Sequence, residues 1–192
     1  MTQNGCPLCD TTDAILFYED HWRSYLRCQN CQLVYVPPEF HLSLEAEKAE
    51  YDLHQNSPDQ LGYRRFLSRL HDPLAARLKD HSYGLDFGCG PGPTLSVMFT
   101  ESGHQVEIHD PFYFNAPKTL TGHPADRGHG KPPYDFITAS EVVEHLRTPA
   151  EELNRLWDCL KPNGILGIMT KRVRDQASFR SEEHTSELQS HS

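Results

Sequence analysis

The stretch Leu85-Asp86-Phe87-Gly88-Cys89-Gly90-Pro91-Gly92 decides the fold of this chain. The apolar run 83–87 ends in three glycines at alternate positions, and the apolar residues after them recur at helical spacing. This order predicts a strand, a tight turn and a helix. Because glycine has no Cβ and tolerates positive φ, a ligand can approach the backbone of such a turn closely. The first turn of the helix then offers backbone N–H groups to that ligand.

A second predicted strand, Val106–Asp110, ends in an acidic residue. An acid in this place, about twenty residues after the glycines, can accept hydrogen bonds from a ribose, so the pattern predicts a nucleoside-binding βαβ unit. The glycine spacing differs from the dinucleotide fingerprint G-x-G-x-x-G. Here Gly88, Gly90 and Gly92 form G-x-G-x-G, and Pro93 stands where the last dinucleotide glycine would be.

These residues resemble motif I of the class I S-adenosylmethionine-dependent methyltransferases. The resemblance continues through Asp110, through Tyr134–Leu146 (YDFITASEVVEHL) and through Leu160–Leu166 (LKPNGIL), and it covers roughly 83–170. Four landmarks in this order are a far more specific signal than one glycine motif. The resemblance implies an α/β fold with a Rossmann-like parallel sheet, S-adenosylmethionine as cofactor, and methyl transfer to a nucleophile.

The same resemblance implies the site residues. The cofactor would be held by the glycine turn with Asp86 beneath it, by an acid at the ribose, and by residues after the predicted strand 134–139, where open parallel sheets bind ligands. We expect His145 to act as the base because an imidazole titrates near working pH, with Glu144 as the alternative. A competing role for His145 is local hydrogen bonding at a helix start. The expected cofactor-binding residues are Asp86, Gly88, Gly90, Gly92, Asp110, Ser140 and Glu141.

Two C-x-x-C pairs near the start of the chain predict a metal site. Cys6 and Cys9 form one pair, Cys28 and Cys31 form the other, and eighteen residues separate the pairs. Four thiolates at this spacing can surround Zn²⁺ tetrahedrally, which is the layout of a zinc ribbon. The zinc would be a structural staple, although a recognition module and a redox site are alternatives. Residues 1–40 carry five acidic and two basic side chains, which disfavours RNA as a partner of this segment.

The predicted domains are a zinc-ribbon-like module at 1–40, a helical lead-in that covers the cofactor at 41–82, and an incomplete methyltransferase core at 83–179. Residues 180–192 resemble the translation of a sequencing-library adapter, and the resemblance would place two more strands after 170. We therefore expect a chain that ends this way to bind cofactor weakly and to turn over little. No apolar run approaches the ~20 residues of a membrane span and no signal peptide is visible, so we expect a cytoplasmic protein.

Several elements around this core are predicted in more detail. Ser57 and Gln60 suggest a capping box for a helix that stops near Asp72-Pro73, after which a second helix begins. Trp157 is expected to be buried with its leucine neighbours, and no third strand is visible in 115–133. Further candidates are Tyr51, His54 and Tyr63 near the cofactor or substrate, Phe112–Phe114 near adenine or in the core, Asp126 near adenine, and Cys89 and Cys159 as small buried residues.

The acceptor cannot be read from these motifs, since this fold serves many acceptors. The net charge of −9 disfavours nucleic acid, and we expect a small molecule. Two other functions stay open. One is a non-catalytic zinc-containing adaptor that keeps a cofactor-binding fold. The other is a nicotinamide-dependent oxidoreductase, which the missing dinucleotide glycine disfavours.

Overall fold

The structure is a computed structural model that describes residues 5–53, 56–114, 134–173, 176 and 179. The chain divides into two compact units. The first comprises Met1–Leu42, Arg147–Ala150 and Lys171–Ser192, and the second comprises Ser43–Leu146 and Glu151–Thr170. The predictions for His54, Asp126, the stretch 115–133 and the tail 180–192 concern residues outside the described ranges.

The first unit contains a three-stranded antiparallel sheet whose strands lie in the order β1 (Ala14–Glu19), β2 (Ser24–Cys28) and β3 (Val34–Tyr35). Ala14 pairs with Cys28, and Leu26 pairs with Tyr35. The rings of Phe17 and Tyr25 are buried in this unit. It also contains a 3-10 helix, Pro38–Phe40.

The second unit is built on a parallel sheet whose strands lie in the order β5 (Gln105–His109), β4 (Tyr83–Phe87), β6 (Tyr134–Ser140) and β7 (Leu160–Met169). This arrangement confirms the predicted α/β, Rossmann-like fold. No described helix combines the length and apolar character that a bilayer span requires. The helices are α1 (Leu44–Tyr51), α2 (Leu61–Ala75), α3 (Thr94–Glu101), a 3-10 helix (Val143–His145) and α4 (Pro149–Asp158).

Two apolar clusters form the core of the second unit. In one of them, Leu85 and Ile137 of the sheet pack with Leu156 of α4. In the other, Phe136 packs with residues of α2 and α3 such as Leu67 and Phe99. Neighbouring residues of a strand point to opposite faces, so helices cover both faces of the sheet and leave the strand ends to build a site.

The structure corrects the predicted start and end of α2. This helix begins at Leu61 and not after Ser57, so the predicted start is wrong, although the Ser57 amide donates to Oε1 of Gln60 at 3.4 Å as in a capping box. Ser57 instead closes a turn: its carbonyl accepts from the Gln60 amide at 3.0 Å, and its Oγ accepts from the Asp59 amide at 3.3 Å. The predicted break at Pro73 is also wrong, because α2 continues to Ala75. A proline in the last turn removes one helical hydrogen bond and leaves few others to disturb.

The prediction that Trp157 is buried is also wrong. Leu156 of α4 is fully buried, whereas Trp157 is 64% exposed. Adjacent residues of an α-helix are rotated by about 100° around its axis. The inward face of α4 runs through Leu156, and Trp157 is turned toward solvent.

Candidate active site

The glycine turn after β4 has the backbone that its sequence predicts. Gly88 and Gly90 adopt φ values of +71° and +65°, which residues other than glycine rarely adopt. The amide of Gly88 donates to the carbonyl of His109 at 2.7 Å, which ties the turn to the end of β5. A Cβ on Gly88 would lie 2.4 Å from Cγ2 of Val142, so the turn also packs tightly against the residues after β6.

Asp110 joins the glycine turn to the residues after β5. Its Oδ2 accepts from the Gly90 amide at 3.0 Å, and its Oδ1 accepts from the Phe112 amide at 2.9 Å. The side chain is buried at the carboxyl end of the sheet. Each oxygen keeps acceptor capacity beyond these bonds, so the carboxylate is held in one orientation and can still accept from a ligand.

Asp86 lies beneath the turn, as predicted, and is almost completely buried within β4. Its Oδ1 accepts a hydrogen bond of 2.8 Å from the hydroxyl of Thr138. Burial raises the pKa of Asp86 to about 6, although this hydrogen bond opposes the shift. Asp86 does not itself line the cavity above the turn.

A cavity of about 480 Å³ opens at the carboxyl ends of the strands. The structure brings together around it eight of the nine residues that the sequence predicts for the cofactor and the base. They are Gly88, Gly90, Gly92, Asp110, Ser140, Glu141, Glu144 and His145. The parallel order of the sheet explains this convergence, since β4, β5 and β6 all end at the same edge.

The end of β6 presents polar groups to the cavity. Among the described residues, the buried Oγ of Ser140 has no hydrogen-bond partner. Glu141 adopts φ +55° while its amide donates to the Met169 carbonyl at 2.7 Å. A left-handed backbone at a residue other than glycine is strained, and such strain is concentrated at functional sites.

Glu144 and His145 lie in the 3-10 helix at the rim of the cavity, and both are exposed. The backbone amide of His145 donates to the Val142 carbonyl at 2.9 Å, which is the main-chain bond of a 3-10 turn. The imidazole itself makes an edge-on contact with the ring of Tyr51, with 5.3 Å between centroids. The ring is therefore directed along the cavity wall and remains accessible to a ligand.

Helices α1 and α2 contribute a wall that the sequence predicts only in part. Tyr51 and Tyr63 line the cavity, as the sequence predicts. Glu47 and Asn56 also line it, and they are not predicted from the sequence. The hydroxyl of Tyr51 donates to Glu47 at 3.4 Å. The missed signal is the spacing, because residues four apart lie on the same face of a helix.

The residues after Asp110 and the cysteine of the glycine turn also line the cavity. Phe112 and Tyr113 both line the cavity, and the ring centroids of Phe112 and Tyr51 are 5.6 Å apart. Cys89 is half-buried and lines the cavity, so the expectation of a buried residue is wrong for it. Burial raises the pKa of the Cys89 thiol, which keeps it protonated. Cys159 is buried in the core, as predicted.

Four cysteines in the first unit form a candidate metal centre. The Sγ atoms of Cys6, Cys9, Cys28 and Cys31 all lie within 4.8 Å of one another. The Cys6–Cys31 and Cys9–Cys28 sulfur pairs are each 3.6 Å apart, close to the ~3.8 Å edge of a tetrahedron with Zn–S bonds of about 2.3 Å. The donor set and its geometry fit Zn²⁺.

The backbone around the two C-x-x-C pairs has a repeated geometry. Asp10 and Gln32, each four residues after the first cysteine of a pair, adopt φ values of 59° and 62°. Their amides donate to the carbonyls of Cys6 and Cys28 at 2.8 and 3.1 Å. The two turns therefore present their sulfur atoms in the same way. A hydrogen bond from the Asn30 side chain lowers the pKa of Cys9 to about 6, which favours the thiolate that a metal binds.

Comparison with known families accounts for the second unit. A family model described as a methyltransferase domain matches residues 60–190. The chain belongs to this methyltransferase family. The match includes the glycine turn, Asp110 and the residues after β6, which carry the resemblance seen in the sequence.

Curated relatives include two ubiquinone biosynthesis O-methyltransferases. The protein from Caulobacter vibrioides is 32% identical over 136 residues, which cover 62% of this chain and 53% of the relative. The protein from Parvibaculum lavamentivorans is 30% identical over 135 residues, with the same two coverages. The chain thus spans about half the length of the curated relatives it matches.

Solved structures give weaker matches. One is Burkholderia thailandensis 1,6-didemethyltoxoflavin-N1-methyltransferase with bound 1,6-didemethyltoxoflavin and S-adenosylhomocysteine. It is 19% identical, with a TM-score of 0.44, and the match covers 81% of this chain and 72% of that one. Another is the [4+2]-cyclase SpnF, at 18% identity and a TM-score of 0.33, covering 53% and 44%.

Proposed function

We propose that this protein transfers the methyl group of S-adenosylmethionine to a small-molecule acceptor. The observation that supports the proposal is the convergence of the motif residues on one cavity, within a chain of the methyltransferase family. The relatives named as ubiquinone biosynthesis O-methyltransferases are consistent with a small acceptor.

The residues around the cavity fit the proposed cofactor. The sulfonium of S-adenosylmethionine supplies an electrophilic methyl group when the cofactor is bound. Gly90 has open space where a Cβ would be, and the unpartnered Oγ of Ser140 offers a donor and an acceptor. Asp110 would accept hydrogen bonds from the ribose, and the glycine turn would hold the amino-acid part. Asp86 would act from beneath by fixing the turn.

The protein would contribute position and proton transfer to the reaction. Most of the rate gain in such a transfer comes from holding the reacting atoms in line. An acceptor hydroxyl or N–H must lose its proton as the new bond forms. The imidazole of His145 would receive this proton, and the Glu144 carboxylate is the alternative acceptor. The aromatic rings of Tyr51 and Phe112 would exclude water from the reacting atoms.

The first unit would hold a structural zinc ion at Cys6, Cys9, Cys28 and Cys31. A segment this small gains too little from apolar burial to fold without a staple. We propose that residues 1–40 form this module, that 41–82 cover the cofactor, and that 83–179 carry the chemistry. The zinc would then stabilise the fold and take no part in methyl transfer.

Transfer of a labelled methyl group tests the proposed function. The protein is incubated with methyl-labelled S-adenosylmethionine and a metabolite extract, and the small-molecule fraction is separated and counted. We expect label in that fraction, and a loss of about a hundredfold or more in initial rate for His145→Ala. Binding of labelled cofactor without any transfer would support the adaptor instead.

A further inference from the structure

The acidic side chains of the cavity restrict the charge of the acceptor. Four carboxylates line it, those of Glu47, Asp110, Glu141 and Glu144, and none of the described lining residues is Lys or Arg. S-adenosylmethionine has only one net positive charge, so the site stays negative when the cofactor is bound. We infer that the acceptor is a planar ring compound without an anionic group, either neutral or cationic. This inference rests on the proposed function.

The shape of the acceptor follows from the aromatic side chains at one end of the cavity. The ring of Tyr51 lies 5.6 Å from that of Phe112 and 5.3 Å from that of His145, measured between centroids. Tyr113 adds a fourth ring, 6.4 Å from Phe112. Aromatic walls bind flat rings by dispersion and attract cations to their faces. They offer few hydrogen bonds to the many hydroxyls of a sugar.

The surroundings at this end of the cavity shift the pKa of Tyr51. Burial raises the pKa of its hydroxyl, and the carboxylates of Glu47, Asp110 and Glu144 raise it further. The same surroundings disfavour any negative charge placed beside the ring. A carboxylate or phosphate on the acceptor would lose its hydration and gain no Lys or Arg partner from the described lining.

Lys48 of α1 does not offset the negative charge of the cavity. Its ammonium lies 5.1 Å from the centroid of the Tyr113 ring, close to the cavity, but it contacts both carboxylate oxygens of Asp52 at 2.9 and 2.6 Å. The pair has no net charge, and the hydroxyl of Tyr113 also donates to Asp52 at 2.6 Å. An anionic acceptor would have to compete with Asp52 for this lysine.

Binding of three matched phenols tests the inference. Tyramine is cationic, 4-ethylphenol is neutral and 4-hydroxyphenylacetate is anionic, and the three have nearly the same size. The protein is first saturated with S-adenosylhomocysteine, and each phenol is titrated by calorimetry. We expect tyramine and 4-ethylphenol to bind at least about tenfold more tightly than 4-hydroxyphenylacetate. Glu47→Gln should reduce the ratio between the affinities for tyramine and 4-hydroxyphenylacetate about threefold. Glu50→Gln, which changes an exposed residue of the same helix, should leave this ratio unchanged.

Other outcomes separate the two proposals. The inference is overturned if 4-hydroxyphenylacetate binds as tightly as the other two phenols or more tightly. It is also overturned if no phenol binds to protein that is saturated with S-adenosylhomocysteine, or if Glu47→Gln and Glu50→Gln change the ratio of affinities equally. Failure of S-adenosylhomocysteine to bind contradicts the proposed function, and the inference is then rejected with it.

Discussion

At the scale of single residues, Asp86 and Asp110 are both buried carboxylates, but their hydrogen bonds differ. Asp110 accepts from the amides of Gly90 and Phe112, whereas Asp86 accepts from the hydroxyl of Thr138 and from the backbone of Ser96. Asp86 is almost completely buried, and its hydrogen bonds from Thr138 and Ser96 offset only part of the hydration that its carboxylate loses. Burial therefore raises the pKa of Asp86 to about 6.

This raised pKa predicts a stability that depends on pH. The native state binds the Asp86 proton more tightly than the unfolded state, whose pKa is about 3.9. The contribution of Asp86 is thus most favourable below pH 4 and is lost as the pH rises through 6. Asp86→Asn keeps an acceptor for Thr138 and removes the charge. We expect it to raise the free energy of unfolding by up to about 3 kcal/mol at pH 8 and by little at pH 4.

Urea unfolding at pH 8, 6 and 4 measures this difference, and Asp135→Asn is the control of opposite sign. Burial works against ionisation of Asp135 too, but bonds from the Tyr83 amide and Lys161 lower its pKa overall. Its replacement should therefore destabilise the protein at pH 8. A constant loss of stability at all three values for Asp86→Asn would contradict the raised pKa.

The candidate site shows what sequence could predict at this scale. Gly88, Gly90 and Asp110 could be placed in advance because their spacing along a strand-turn-helix unit determines where they meet. Glu47 could not, since it reaches the cavity only through the packing of α1. The prediction for Cys89 is wrong for a similar reason: the exposure of this turn residue depends on the cavity that forms around the turn rather than on its neighbours in sequence.

At the scale of elements, the strands were more predictable than the helix ends. The predicted strand 83–87 coincides with β4, because every residue except Asp86 is apolar, as is typical of a parallel strand buried on both faces. The predicted ends of α2 are wrong because the local sequence around Ser57 and Pro73 is compatible with more than one structure. A serine can cap a helix or close a turn, and only tertiary contacts decide which occurs.

The close approach of the segment before α2 to the glycine turn yields an element-scale prediction. A Cβ on Gly92 would lie 2.0 Å from the carbonyl oxygen of Asn56, so Gly92→Ala must displace a backbone segment that lines the cavity. We expect a loss of about 1–3 kcal/mol in stability and weaker cofactor binding. Gly62→Ala in α2 is the matched control, since nothing lies within 4 Å of its Cβ.

Thermal unfolding of the two variants, with and without S-adenosylhomocysteine, measures both effects. Gly62→Ala should leave the melting temperature unchanged or slightly higher, because alanine is the better helix former. If Gly92→Ala behaved like Gly62→Ala in both measurements, the close packing of Asn56 on the turn would be refuted.

The cysteine cluster predicts one zinc ion per chain. Chelation should unfold the antiparallel sheet β1–β3 and leave the parallel sheet folded, because the metal supplies much of the folding free energy of such a module. Metal analysis and circular dichroism before and after chelation measure this. Cys6→Ser should abolish zinc binding, and Cys89→Ser, a thiol outside the cluster, should keep it. Four cysteines that react freely with an alkylating agent in the native protein would argue against the metal.

At the scale of the whole molecule, the chain combines a cysteine-rich unit with a cavity-bearing unit of a methyltransferase family. Its net charge of −9 and the carboxylates around the cavity suit a cationic cofactor. The family could be identified from sequence because its landmarks are local motifs in a fixed order. The acceptor could not, since acceptor contacts come from side chains that meet only in the folded protein.

Binding of S-adenosylhomocysteine and of NAD⁺, measured by calorimetry on the same preparation, tests the central claim most directly. We predict that S-adenosylhomocysteine binds and NAD⁺ does not, because Pro93 replaces the last dinucleotide glycine. Asp110→Asn should weaken the binding of S-adenosylhomocysteine by about 10- to 100-fold, since it removes the charge-assisted bonds that we propose between Asp110 and the ribose. Binding of NAD⁺ without binding of S-adenosylhomocysteine would contradict the account.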